Sequence, residues 1–246
     1  MAVEKTSSQT PTKRLTPEEV QGLILFRDGQ MLIINKPAGI PVHAGPKGGI
    51  NLEQYFEHLK FGLPRVPSLA HRLDRDTSGC LILGRHRKAL AKLGKFFSGN
   101  KIKKTYWAIV EGNVAAESGV IDAPLTKRST LERGWWMKVD PAGQNAVTDY
   151  KVLGRGNLDG REISWLELKP QTGRTHQLRV HCAHIGFPIV GDPVYGITAH
   201  TKQTYPMLLH AYAITIPYYP TREPIQAEAP PPHSMHESLK ACGWGG

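Results

Sequence analysis

Cysteine is scarce: Cys80, Cys182 and Cys242 are the only three in 246 residues. Their odd number and wide spacing argue against a disulfide framework and fit a chain kept in a reducing cytoplasm. Long apolar runs are missing as well. None approaches the ~20 residues of a membrane-spanning helix, so a soluble protein is expected. Residues 1–17 carry Lys5, Lys13 and Arg14 but no apolar stretch. They read as a disordered basic extension rather than a signal peptide, ahead of a single domain over residues 18–246. Neither a Gly-rich dinucleotide loop nor a Walker-type phosphate loop occurs, and no cofactor is expected. His176, His181, Cys182 and His184 cluster in sequence, but no Cys-x-x-Cys answers them, so no metal is expected either. No internal repeat is visible.

Acidic residues are in deficit. Thirty-one Lys and Arg face twenty-one Asp and Glu, a net charge of +10 before eleven histidines are counted. A field of that sign favours polyanions, chiefly nucleic acid. Composition is otherwise that of a packed globular domain, 40% hydrophobic and 21% charged.

Apolar patterning predicts strands at 31–34, 80–83, 105–110, 119–121, 146–153, 163–169 and 208–216. Within Thr105–Val110 the pattern sends Tyr106, Ala108 and Val110 to one face and Thr105, Trp107 and Ile109 to the other. Helical spacing predicts a short helix over 51–59 with Asn51 as cap, an amphipathic helix over 88–97, and a third over about 176–185 ended by Gly186. Residues 120–144, with Lys127, Arg128, Arg133 and Lys138, read as basic loops, and the proline-rich chain from Tyr218 onward as a surface wrap. Many strands and few helices, without strict alternation, give an α+β fold on a mixed, mainly antiparallel central sheet flanked by helices and loops.

Two loops concentrate polar chemistry. The run His71-Arg72-Leu73-Asp74-Arg75-Asp76-Thr77-Ser78-Gly79 lies between apolar stretches. Extended backbone would put Arg72 and Asp74 on one side of it. By itself it leaves Asp74 as a nucleophile, a general base or the anchor of a structural salt bridge; Asp76 reads as structural. The run Thr172-Gly173-Arg174-Thr175-His176-Gln177-Leu178-Arg179 joins a strand to a helix. Free backbone donors make such junctions frequent sites. Arg179, one turn inside that helix, can reach a cleft, and a guanidinium beside a carboxylate favours its charged form.

These residues resemble a known family. His71–Gly79 is similar to the HRLDxxTSG signature of the RluA family of pseudouridine synthases. Asn35–His43 resembles that family's first motif and Lys104–Gly112 its tyrosine-bearing strand. Gly173–His181 with Gly191–Gly196 resembles its third motif, and Leu209-His210-Ala211 a later strand. The five occur in the family's order across about Ile33 to Pro230. Tyr219-Pro220 and Thr221-Arg222-Glu223 depart from the His-Pro and Thr-Gly-Glu usual there. The chain also leaves no room before the first motif for an S4-type RNA-binding domain.

The resemblance implies an RNA pseudouridine synthase with its cleft across the sheet. It acts on uridine in ribosomal or transfer RNA, without cofactor, as a monomer with no obligate protein partner. By position, Asp74 matches the catalytic aspartate, Tyr106 the tyrosine stacked on the target uracil and active in the later proton abstraction, and Arg179 the cation paired with the aspartate. Arg72 matches an arginine that fills the space of a flipped base. Lys36, His43, Lys104, Arg174, His176 and Gln177 are candidate RNA or site-wall contacts. Which atom Asp74 attacks is not legible.

Overall fold

The computed structural model describes residues 14–45, 48–130, 134–197 and 205–246. In chain order the elements are α1 (Pro17–Gly22), β1 (Ile24–Arg27), β2 (Met31–Lys36), a 3-10 helix (Leu52–Leu59), β3 (Ser68–Leu69), β4 (Ser78–Gly84), α2 (Arg87–Ser98), β5 (Lys103–Glu111) and β6 (Ser118–Asp122). There follow β7 (Leu125–Thr130), β8 (Gly134–Val139), β9 (Val147–Leu158), β10 (Arg161–Pro170), α3 (Gln177–His184), β11 (Leu209–Ile216), β12 (Ile225–Glu228) and α4 (His233–Ala241).

The large sheet runs β1-β2-β4-β11-β5-β10-β9-β6, with β12 beside β11 and β3 beside β4. Its pairs are antiparallel except β4 with β11, so the α+β, mainly antiparallel architecture is as expected. Gly79 sits at this parallel seam with φ near +104°, and a Cβ there would lie 2.3 Å from the Ala211 carbonyl oxygen. The glycine of the signature thus lets β4 come up against β11.

The alternation read in β5 sorts its side chains as expected. Ala108 and Val110 pack with Leu178 and Cys182 of α3 on one face. Trp107 and Ile109 pack with Met235 and Leu239 of α4 on the other. The sheet is therefore covered on both sides, and α3 holds the Asp74 side.

Four expectations need correction. The extension ends before residue 17: Leu15 packs on the core, and Thr16 caps α1 in a reciprocal box with Glu19. Residues 1–13 lie outside the described part. The basic segment 120–144 is not loop but holds the paired strands β7 and β8, a separate two-stranded sheet; Arg133 lies outside the described residues. The chain after Tyr218 forms β12 and α4 rather than a wrap, because Ile225 and Ala227 face the core and Met235 and Leu239 share one helical face. Asn51 precedes the 3-10 helix but makes no side-chain capping bond.

Candidate active site

The Asp74 loop connects β3 to β4 and is held from within by the first motif. The Arg75 carbonyl accepts from the Gly39 N–H and from Lys36 Nζ, each at 2.9 Å. Lys36 Nζ also donates to the carbonyls of Pro37 at 2.7 Å and Ile40 at 2.8 Å. All three ammonium protons are thus used on backbone, and Lys36 has no exposed surface. Burial draws its pKa down to about 7, against the charges of Asp76 and Asp74. Lys36 cannot be the phosphate contact expected of it; it staples two loops together.

His71 turns inward, its Nε2 accepting the Ile82 N–H at 3.0 Å, and burial pushes its pKa down to about 3. Leu73 is buried, while Arg72 is exposed. Asp76 is gripped by the forked guanidinium of Arg75. Asp74, with 29% of its side chain exposed, is the carboxylate of this loop that faces α3.

Facing it is Arg179, one turn into α3 and 6% exposed. Its Nη1 donates to Asp74 Oδ2 at 3.1 Å, while Nε and Nη2 make a bidentate pair with Asp192 at 2.7 and 2.8 Å. Burial alone would raise the Asp192 pKa; the bonds and charge of Arg179 and the N–H groups of Tyr195 and Val194 more than reverse this. Asp192 can occupy this buried point because Gly191 precedes it. A Cβ on Gly191 would lie 2.1 Å from the Pro206 carbonyl oxygen.

Tyr106 borders the same space. Burial first, then the charge of Asp74, raises its phenol pKa above the usual 10, so it is a neutral hydroxyl at pH 7. Lys104, two residues earlier on the same face of β5, is half-buried, with Nζ 3.9 Å from the position of a Gly173 Cβ. Burial lowers its pKa too. His176 Nε2 lies 3.8 Å from Asp74 Oδ2.

Other candidates fall elsewhere. Gln177 is buried, and its amide is saturated: the oxygen accepts from Thr172 Oγ1 and the Arg174 N–H, and the nitrogen donates to the Val147 carbonyl and Thr148 Oγ1. It orders the turn into α3 and has nothing left for RNA, contrary to expectation. Arg174 is exposed and donates to the Asn145 carbonyl. His43 is committed to Glu53 at 2.6 Å. His181 is turned away to Thr148 and the Ala123 carbonyl.

Three residues not singled out from sequence complete the wall: Asp192, Tyr195 and Trp135. The first two lay inside the Gly191–Gly196 motif, whose acid and phenol were a usable signal. Trp135 had none; β8 carries its ring over His176 at 4.9 Å between centroids.

A partly exposed carboxylate is thus bonded to a buried arginine beside an aromatic ring at the α3 side of the sheet. The comparisons agree. A family model described as RNA pseudouridylate synthase matches residues 30–184. An RNA pseudouridine synthase of Zymomonas mobilis, named as uncharacterised, is 46% identical and covers 86% of this chain and 94% of its own length. Ribosomal large subunit pseudouridine synthase D of Borreliella burgdorferi is 35% identical over 82% of this chain and 63% of its own length. The solved structure of human RNA pseudouridylate synthase domain containing 1 superposes with a TM-score of 0.74 at 30% identity, covering 89% of this chain and 86% of that one. This chain belongs to the RNA pseudouridylate synthase family, in its RluA branch, and is an RNA pseudouridine synthase.

Proposed function

We propose that the enzyme converts specific uridines of ribosomal or transfer RNA to pseudouridine in the cytoplasm, as a monomer built on one catalytic domain that begins by Leu15, with Asp74 as the reacting carboxylate. The observation that carries this is the Asp74–Arg179–Asp192 chain. Asp192 is fully buried and orients Arg179, which presents a single N–H to an accessible Asp74.

The reaction breaks the bond from ribose C1′ to uracil N1, turns the base and rejoins it through C5, the C5 proton leaving and N1 taking one up. No redox change occurs. Uracil departs as a delocalised anion, so one carboxylate suffices where glycoside hydrolysis needs two. Tyr106 would stack on the freed base and keep water from it, a reading its burial and its nearness to Asp74 support. As a neutral phenol it would give its own proton to N1 of the rejoined base and take the one from C5, so that no proton is gained or lost overall.

The target base has to leave its stack, which costs a few kcal/mol in general and least in a loop. Exposed Arg72 and Arg174 and the half-buried Lys104 are the cations at hand to offset that through phosphate or base-gap contacts. The names of the Borreliella and Buchnera relatives, both ribosomal large subunit pseudouridine synthases, lend support to a ribosomal target.

Pseudouridine mapping of RNA from a deletion strain, before and after adding the purified protein, tests the reading. Wild type should restore one or a few sites. Asp74→Asn should lower turnover roughly a thousandfold or more while RNA affinity stays within a few-fold. An active Asn variant would remove Asp74 from the chemistry, and release of free uracil by wild type would mark a glycosylase instead.

A further inference from the structure

Tyr195 joins two groups far apart in sequence, the backbone of β8 and the ring of His176. Its hydroxyl oxygen accepts the Met137 N–H at 2.9 Å and lies 2.9 Å from His176 Nδ1. The amide can only donate, so the phenol keeps its own proton to give, and Nδ1 is the acceptor in reach. A bare Nδ1 puts the imidazole proton on Nε2, the nitrogen 3.8 Å from Asp74 Oδ2. The reverse tautomer would set a lone pair of Nε2 against the carboxylate and leave the phenol proton without that acceptor. Burial lowers the His176 pKa, opposed by Asp74 and Asp192 and helped by Arg179, so the ring is neutral near pH 7.

Little else is open to this ring. Its backbone is left-handed, with φ 53° and ψ 17°, a conformation uncommon outside glycine. The Trp135 ring stacks on it at 29°, and the Tyr195 ring meets it edge-on at 5.7 Å. Trp135 and Met137 both belong to β8, so the hairpin fixes the imidazole by its face and by its tautomer. Lys127 of β7 lies over the outer face of Trp135 at 5.2 Å. The hairpin's polar surface and the Asp74 carboxylate are thus linked through one histidine.

We infer that His176 is a positioning residue acting through Asp74: the β7–β8 hairpin, by way of Met137, Tyr195 and Trp135, holds its Nε2–H toward the carboxylate. The hairpin thereby sets a second N–H beside Asp74, 3.8 Å away, in addition to that of Arg179. The role rests on the isomerase reading given above, while the tautomer can be measured without it.

The test uses the full-length protein with ¹⁵N-labelled histidine. Wild type should show His176 as the Nε2–H tautomer at pH 7.5, its signals identified by their loss in His176→Gln. Tyr195→Phe should mix the tautomers, lower kcat about tenfold with KM within about threefold, and move the acid limb of kcat to higher pH, since the phenol no longer favours the bare Nδ1. His176→Gln, which keeps an N–H and does not titrate, should recover most of the kcat lost in His176→Ala and lack the imidazole limb. An Nδ1–H tautomer in wild type overturns the inference. So does a Tyr195→Phe enzyme with unchanged kcat and acid limb. Wild type with the expected tautomer but no pseudouridine product sinks the isomerase reading instead, and the role of His176 in it.

Discussion

Two polar regions are buried side by side around residues 71–79, and they meet the same difficulty differently. On the α3 side, Arg179 lies between two carboxylates, Asp192 and Asp74, and the charges answer one another. On the sheet side the partners are uncharged. Lys36 is surrounded by three carbonyls, His71 accepts a backbone N–H, and His210 sits between Ser78 Oγ and the Ala229 carbonyl. The first arrangement keeps charge next to the cleft, where a reaction with ionic character can use it. The second answers its buried groups with uncharged partners and serves to fix loops. Both are formed from signature residues, so membership of a motif does not say which duty a residue has.

Replacing Arg179 separates the two most sharply. Arg179→Met leaves Asp192 buried without its cation, and loss of one partner of such a pair costs about 3–5 kcal/mol. Urea unfolding should show that loss, and turnover should fall with it. Asp192→Asn in the same background should recover part of the stability but not the activity, since Asp74 still lacks its donor. Equal activity with and without the guanidinium would mean that the ionic side is as purely structural as the other.

The next effect should come from Lys36→Met. It orphans the carbonyls of Pro37 and Ile40, while that of Arg75 keeps the Gly39 N–H. At about 1 kcal/mol or more for each orphaned carbonyl we expect about 2 kcal/mol of lost stability in urea. If the variant is sufficiently folded at low temperature, its turnover should fall less than that of Arg179→Met, because Lys36 only holds the loop. A larger loss of turnover than of stability would assign Lys36 a part in the site.

The ease of reading these regions from sequence follows the same division. Strands β2, β4, β5, β10 and β11 were legible because their apolar runs or alternations record which side is buried. The Asp74–Arg179 pairing was legible only through resemblance, since residues 105 apart give no local sign of meeting. Strands β7 and β8 escaped because they are largely exposed, and a polar ribbon carries no burial alternation. In the tail, three prolines before His233 masked a helix whose Met235 and Leu239 were properly spaced. Lys36 and Gln177 were misjudged for a deeper reason: a polar side chain looks alike in sequence whether it reaches for a ligand or for its own backbone.

Acid should take the two regions apart in separate windows. Burial holds the pKa of His210 at about 4 and of His71 at about 3, against an ordinary value near 6.5. In the folded chain both stay neutral, while the unfolded chain takes up their protons as pH drops below 6.5. Their contribution is therefore complete above 6.5 and is lost progressively toward 4, by about 2 kcal/mol each at pH 5. Asp192 is shifted the other way for a carboxyl, below its ordinary value, so its contribution holds above about 4 and disappears only at lower pH. Urea midpoints at pH 7.5 and 5 should fall together in wild type and Asp192→Asn, but less in His210→Gln, which has one fewer proton to take up. A His210→Gln variant with the full wild-type drop would show that the sheet side does not answer burial with neutrality, and the contrast with the ionic side would be gone.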